Sequence, residues 1–577
     1  MNSRFKQTAL MSCDSYKLGH ADQYPEGTTK VYSNFTPRSN LHLNQPEGYK
    51  DNRIVFFGLQ AFLLELKEVF DSTFFNCNKD EVVNEFVEFV APFVGPKGFD
   101  KSRIEALWEV GYLPVEVKAL PEGSKVPIGV PVLTITNTLP EFYWLPNFLE
   151  TWISSELWKA STSATVSNIY KRIISNYSDI TGGSSEFVMW QGHDFSVRGM
   201  SGIQDSAKSG AGHLLSFLGT DNLPAVKLIK DAYGCTFVGG SVPATEHSVM
   251  CAGGEEDELQ TFKRLLKTYP SGVVSIVSDT WSYWDVITGL AVQLKEDILN
   301  RVPDSLGLAK TVFRADSGDP VKIIVGELFE DISEFVDGNC ITSIGDVALE
   351  IIRDRTGEET EHGEHGESEP SGIFKCNDKY YLVKVQIEWN RYDKQYYYID
   401  SVNLKSIEEV ELTPAQKGSV ECLWEIFGGT TNEKGYRTLN QRVGLIYGDS
   451  ITPDRCIAIL EGLKQKGFAS DNIVFGIGSY TFQYCTRDTL GFAMKATYVE
   501  IEGQPFAIFK NPKTDSGTKK SAKGLLKVTL EEGNYKLQDQ VTQEEEQQGE
   551  FRTVFKDGEF KVLESFDTLR ERLVGFN

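Results

Sequence analysis

The segment Gly239-Gly240-Ser241-Val242-Pro243-Ala244-Thr245-Glu246-His247-Ser248 decides how this chain is read. It follows an apolar run, Cys235-Thr236-Phe237-Val238, that reads as a buried strand, and it breaks into glycines, a proline and a Glu-His pair. A carboxylate beside an imidazole at a strand end suits a histidine that acts as a nucleophile or binds phosphate. Burying such a pair is costly unless it is used. Parallel α/β barrels collect polar strand ends of this kind into one site at the C-terminal face.

The same design recurs along the chain. Phe187-Val188-Met189-Trp190 leads to His193-Asp194, Val273–Val277 to Ser278-Asp279, and Thr311-Val312-Phe313 to Arg314 and Asp316. Val443–Tyr447 leads to Gly448-Asp449, and Ile473-Val474-Phe475 to Gly476, Gly478 and Ser479. Helical periodicity over 222–233, 255–268, 282–299 and 453–466 separates the runs, which predicts a parallel sheet or barrel. Before residue 155 the character is α+β: helical periodicity over 54–70, alternating strands over 114–136, and a long helix over 143–178. The expected domains are an N-terminal α+β part over 1–155, an α/β barrel over 156–489, and a C-terminal α+β part over 490–577. The interval from Asp316 to Asp449 is more than three times that from Asp279 to Asp316, so 355–432 is read as a β-rich insertion. Its start, 355–371, is acidic and glycine-rich, and His362 and His365 there read as solvated. Tyr380–Trp389 and Gln395–Ile399 predict a hairpin.

Composition bounds the function. The 577 residues carry 82 acidic and 58 basic side chains, a net charge of -24. That balance argues against non-specific binding to nucleic acid or an anionic membrane, so an anionic substrate needs a local basic patch. Lys510, Lys513, Lys519, Lys520, Lys523 and Lys527 supply one, six lysines in 18 residues with Asp515 as the only acid. Such a run is commonly a solvated surface. Here, with Arg38, Arg487 and Lys495, it is also a place to receive pyrophosphate, and Ser516-Gly517 suit a closing loop. Nine scattered cysteines without a C-x-x-C pair, no signal peptide and no run of about 20 apolar residues predict a cytoplasmic protein with unlinked thiols.

Other residues admit two readings. Phe195 and Arg198 can clamp a flat ring with a polar substituent, or be a core aromatic and a surface cation. Asp221, after Gly219-Thr220, is a turn residue or a carboxylate that accepts from an amide NH₂ and repels a carboxylate. Asp279 and Asp316 suit Mg²⁺, which needs only one or two carboxylates beside phosphate oxygens, or ribose hydroxyls. Gly476-Ile477-Gly478-Ser479 is a phosphate-loop candidate, strengthened by its place after a late strand.

Taken together, eight ordered motifs resemble the nicotinamide phosphoribosyltransferase family. They are Asp14-Ser15-Tyr16-Lys17, His193-Asp194-Phe195 with Arg198-Gly199, Gly219-Thr220-Asp221, Ser241–Ser248, Val277-Ser278-Asp279, Arg314 with Asp316-Ser317-Gly318, Gly448-Asp449, and Thr486-Arg487-Asp488. The resemblance implies an α/β barrel plus an α+β domain built from both chain ends, and a homodimer with shared sites. It implies that Tyr16 and Phe195 sandwich the pyridine ring while Asp221, Ser275 and Arg198 read the carboxamide. Arg314 would border ring and phosphate, Asp316 and Asp449 would hold ribose, and Gly478 and Ser479 the 5′-phosphate. Arg38, Arg487, Lys495, Lys510 and Lys519 would hold pyrophosphate. His247 would take a phosphate from ATP, supported by Glu246 and Asp279, which would also serve Mg²⁺. The insertion is similar to those of microbial and phage members. The implied substrates are nicotinamide, phosphoribosyl pyrophosphate and ATP. The alternatives are a nicotinate-specific enzyme, disfavoured by Asp221, and a catalytically silent binding or signalling protein on the same scaffold.

Overall fold

A computed structural model describes residues 8–95, 98–336, 341–358, 366–368, 370–391, 397–448, 450–511 and 521–576. The chain divides into two units, one of Met1–Val242, Tyr447–Ile457 and Ile473–Asn577, the other of Pro243–Ile446 and Ala458–Asn472. The boundary falls inside the Gly239–Ser248 segment.

The first unit holds an antiparallel sheet of seven strands, in the order Gln504–Ala507, Ala493–Ile501, Thr28–Thr36, Leu133–Asn137, Val115–Ala119, Arg552–Lys556 and Glu559–Phe560. Both ends of the chain contribute, and Phe35 stacks on Phe492 with centroids 4.9 Å apart. The helix Leu145–Thr181 carries a fully buried run of small residues around Ala160–Ser167. Their hydroxyls replace ladder partners for nearby backbone: Thr165 Oγ1 accepts from Val55 N–H and Ser161 Oγ from Phe57 N–H. Pro146 in its first turn and left-handed Gly182 at its end delimit the helix. A second group of strands is parallel: Val474–Ile477 pairs with Gly192–Asp194, which pairs with Gly219–Thr220, and Gly240 bridges to Gly219.

In the second unit Gly272–Val277 and Ala309–Ala315 run parallel, with Val277 opposite Arg314. Ala244 bridges to Ser275 in the same sense. The chain is therefore α/β, with parallel strands in both units. The predicted hairpin forms between Lys379–Arg391 and Tyr397–Val410. It belongs to a sheet with Ser371–Cys376, Gly366–Ser368 and Glu330–Asp331, whose Phe374, Val383, Val385 and Ile387 pack on Ile344, Ala348 and Ile352 of the helix Ile341–Glu358.

Two expected strands are absent, each for a visible reason. Phe187–Trp190 is a 3₁₀ turn, and the strand is the polar triplet behind it, Gly192–Asp194. That triplet lies inside because its polar groups are satisfied: Asp194 accepts from Ser196 N–H and from Asn222 Nδ2. Cys235–Val238 is irregular, with Phe237 48% exposed. The terminal helix Phe566–Phe576 takes its backbone groups instead. Asp567 accepts from Thr236 N–H, while Arg570 donates to the carbonyls of Phe237 and Val238. Segment 282–299, read as one helix, is a π-helical stretch and two short α-helical pieces.

Candidate active site

In the first unit the parallel strand ends bring an aromatic, a carboxylate and a glycine turn together. The N–H of Phe195 donates to the Ile477 carbonyl at 3.0 Å, continuing the ladder past Asp194. A methyl group at Gly476 would meet Phe195 Cδ2 at 2.7 Å and the Tyr447 carbonyl oxygen at 2.8 Å, so the strand end needs glycine to lie against the ring. A methyl group at Gly199, just after Arg198, would meet Ser479 Oγ more closely still, and Arg198 itself is exposed. Ser479 opens the helix Ser479–Gln483 behind extended Gly478. Asp221 follows Gly219–Thr220, the strand on the other edge of Gly192–Asp194, and its Oδ1 lies 2.9 Å from His193 Nε2 and accepts from Ser241 Oγ.

Cations of the same unit form a separate group. Burial, and then the positive charges of Arg38, Lys510 and Lys17, lower the Lys495 ammonium pKa against the pull of Glu150. Lys495 Nζ donates to the Met494 carbonyl and Arg38 Nε to that of Gly491. Arg487 lies at a cavity of about 690 Å³ that Lys159 and Lys208 also line. Tyr16 is 61% exposed, with its ring edge-on to His20 at 5.3 Å and Lys17 Nζ 5.3 Å from its centroid. Its ring neighbour is thus His20, whereas that of Phe195 is His193. Lys519 and Asp449 lie outside the described residues, as do His362 and His365.

In the second unit the ends of the two parallel strands meet. Asp279 follows one and Asp316 the other, and Asp316 N–H donates to Asp279 Oδ2 at 2.9 Å, as Ser317 Oγ does at 2.6 Å. Arg314 donates to the Thr245 carbonyl at 2.8 Å and lies 3.4 Å from Asp316. Ser275 is buried, its N–H bonded to the Pro243 carbonyl and its carbonyl to Thr245 N–H. The quoted loop is thereby strapped to the strand below it. His247 begins the short helix His247–Cys251, with Nδ1 3.1 Å from Thr280 Oγ1. Its Nε2 stands 3.9 Å from Asp279 Oδ1 and 3.9 Å from Asp316 Oδ2.

Glu246 and His247 are not a buried pair. Both are exposed, and the Glu246 carboxylate accepts from Ser248 Oγ. Asp279 is the buried member, with its side chain 3% exposed and its Oδ1 without a hydrogen-bond partner. A buried carboxylate oxygen left open beside an imidazole fits a cation or a charged His247. Among the described residues, no group of three or more His, Cys, Asp or Glu is arranged to hold a metal by itself. No described helix is long and apolar enough to cross a membrane. Sequence reasoning assigned no role to His193, Ser241 or Thr280. The spacing of His193 two residues before Phe195, which puts both on one face of an extended segment, was the available signal.

The model of the nicotinate phosphoribosyltransferase (NAPRTase) family matches residues 190–346 and 392–559, and that of the nicotinamide phosphoribosyltransferase N-terminal domain matches 8–91. A nicotinamide phosphoribosyltransferase of Acinetobacter baylyi is 47% identical over 572 residues, covering 99% of this chain and 97% of that one. One from Mycoplasma pneumoniae is 31% identical over 534 residues, covering 89% and 94%. The crystal structure of human nicotinic acid phosphoribosyltransferase aligns over 98% of this chain and 93% of that one at 14% identity, with a TM-score of 0.47. With near-complete coverage at 47% identity and two matching family models, the chain belongs to the nicotinamide phosphoribosyltransferase family.

Proposed function

We propose that this chain transfers the phosphoribosyl group of phosphoribosyl pyrophosphate to nicotinamide, giving nicotinamide mononucleotide and pyrophosphate for NAD salvage. The observation that carries the reading is the Phe195 ring against a glycine strand end, joined through His193 to a carboxylate, Asp221, that two donors hold. Phe195 stacks on the pyridine, Asp221 accepts from the carboxamide NH₂ with Arg198 and Ser275 near the amide, and Gly478 and Ser479 take the 5′-phosphate. A carboxylate at that place repels nicotinate, which disfavours the acid as substrate.

Nicotinamide is a neutral, weak nucleophile, so the C1–oxygen bond to pyrophosphate must be largely broken before the ring nitrogen bonds to C1. Arg38, Arg487, Lys495, Lys510 and Lys519 stabilise the departing anion, and Asp316 and Asp449 hold the ribose whose C1 becomes cationic. Stacking aligns the ring nitrogen with C1. Asp279, with Glu246 as a further ligand, would hold Mg²⁺, which would supply further neutralisation of the phosphate oxygens. ATP drives the reaction through a phosphate on His247 Nε2, with Thr280 holding Nδ1 and Asp279 and Asp316 flanking the ring. The working form is a homodimer in which the partner subunit's Tyr16, strongly exposed in a single chain, covers the second face of the pyridine.

The test is purified protein with nicotinamide, phosphoribosyl pyrophosphate and Mg²⁺, with and without ATP. The expected result is nicotinamide mononucleotide, made faster with ATP, and an acid-labile phosphate from γ-labelled ATP that His247→Ala abolishes. Absence of turnover with folded protein supports the silent-scaffold alternative instead.

A further inference from the structure

The residue behind Asp221 has a duty of its own. His193 lies opposite Gly219 in the parallel pair of Gly192–Asp194 and Gly219–Thr220. A methyl group at Gly219 would come within 2.7 Å of His193 Nδ1, so the neighbouring backbone is pressed against the imidazole edge and sets its plane. On its other side the ring meets Phe195, with centroids 4.8 Å apart and planes at 49°. Nε2 then lies 2.9 Å from Asp221 Oδ1. Because the acceptor is a carboxylate, the proton on that nitrogen is assigned by its partner. Ser241 Oγ donates to the same oxygen. The His193 side chain is 13% exposed and that of Asp221 40%, so the donor stands behind and the carboxylate in front.

We propose that His193 is a positioning residue that sets the orientation of the Asp221 carboxylate relative to the Phe195 ring, and thereby the preference for a carboxamide over a carboxylate. Touching both ring and carboxylate, it fixes the distance and angle between the stacking surface and the amide acceptor. It has no contact with the reacting atoms in this role. The inference rests on the reading of Asp221 as the group that accepts from the amide.

The test compares His193→Phe, which keeps a flat ring but no donor, with His193→Gln, whose amide NH₂ restores one. Both are assayed with nicotinamide and nicotinate, and nicotinamide binding is measured by calorimetry. His193→Phe is expected to raise KM for nicotinamide about tenfold with kcat changed less than about threefold, and to lower the amide-over-acid preference by a similar factor. His193→Gln should recover most of both. Folded His193→Phe with the KM and preference of the wild type overturns the proposal, as does an equal loss in Phe and Gln variants. If His193→Phe does not fold, Gly219→Ala displaces the imidazole through its new methyl and must raise KM likewise; unchanged selectivity there is equally fatal. Wild-type protein that neither binds nor converts nicotinamide removes the substrate reading itself, and the role of His193 goes with it.

Discussion

Asp279→Asn changes one buried charge and almost nothing else. Asn keeps a carbonyl oxygen to accept from Asp316 N–H and Ser317 Oγ, the two donors at Asp279 Oδ2. What disappears is the negative charge 3.9 Å from His247 Nε2. At an effective dielectric constant of about 20, two unit charges at that separation attract by about 4 kcal/mol. His247 is 48% exposed, and solvent screening brings this to about 1–2 kcal/mol. A five- to thirty-fold loss follows in phosphoryl transfer to His247, whose ring gains positive charge as Nε2 bonds to phosphorus. Stability should move the other way or not at all, because a buried carboxylate with an unmatched oxygen is costly to keep. The assay is incorporation of acid-labile phosphate from γ-labelled ATP, beside urea unfolding of the same preparations. Wild-type labelling in Asp279→Asn, or a loss of more than about 2 kcal/mol of stability, would refute this account of Asp279.

Glu258 gives a pH-dependent counterpart. Burial, then Glu255 and Asp285, push its carboxyl up to about 7. Its stabilising contribution is therefore complete below pH 4.5 and lost as pH rises toward 7, on the order of 2–3 kcal/mol, and Glu258→Gln should flatten the wild-type decline in denaturation free energy over that window. Gly476→Ala should cost about 1–3 kcal/mol and reduce turnover, since its methyl meets backbone at Tyr447 and Gly448 as well as Phe195; thermal melts and kcat/KM check both. The buried Lys118–Glu546 pair, bonded at 2.8 Å and 3.0 Å, should lose about 3–5 kcal/mol in Lys118→Met alone. Adding Glu546→Leu should restore much of that, measured as a double-mutant cycle in urea.

What the sequence disclosed, and what it hid, separate along one physical line. Elements whose burial follows their own residues were legible: the helix Leu145–Thr181, the alternating strands between Val115 and Asn137, and the long hairpin of the insertion. Elements whose burial depends on remote partners were not. Gly192–Asp194 is polar yet interior because Asn222 and the Ser196 backbone satisfy Asp194. Cys235–Val238 is apolar yet irregular because Asp567 and Arg570 capture its backbone from more than 300 positions away. The Glu-His dipeptide drew attention to His247, but the carboxylates next to that ring are Asp279 and Asp316 and not the adjacent Glu246. Adjacent residues at the start of a helix face different ways, so the carboxylates beside His247 come from strand ends 32 and 69 residues on, Asp279 and Asp316. His193 received no role: its spacing puts it on one face with Phe195, whereas what that face meets, Asp221, shows only once the strands are paired.

The measurement that bears most directly on the central claim is the ratio of kcat/KM for nicotinamide to that for nicotinate, in the wild type and in Asp221→Arg. A carboxylate held by His193 and Ser241 beside the Phe195 ring predicts a strong preference for the amide that collapses or reverses when its charge is inverted. An unchanged ratio in folded Asp221→Arg contradicts the assignment.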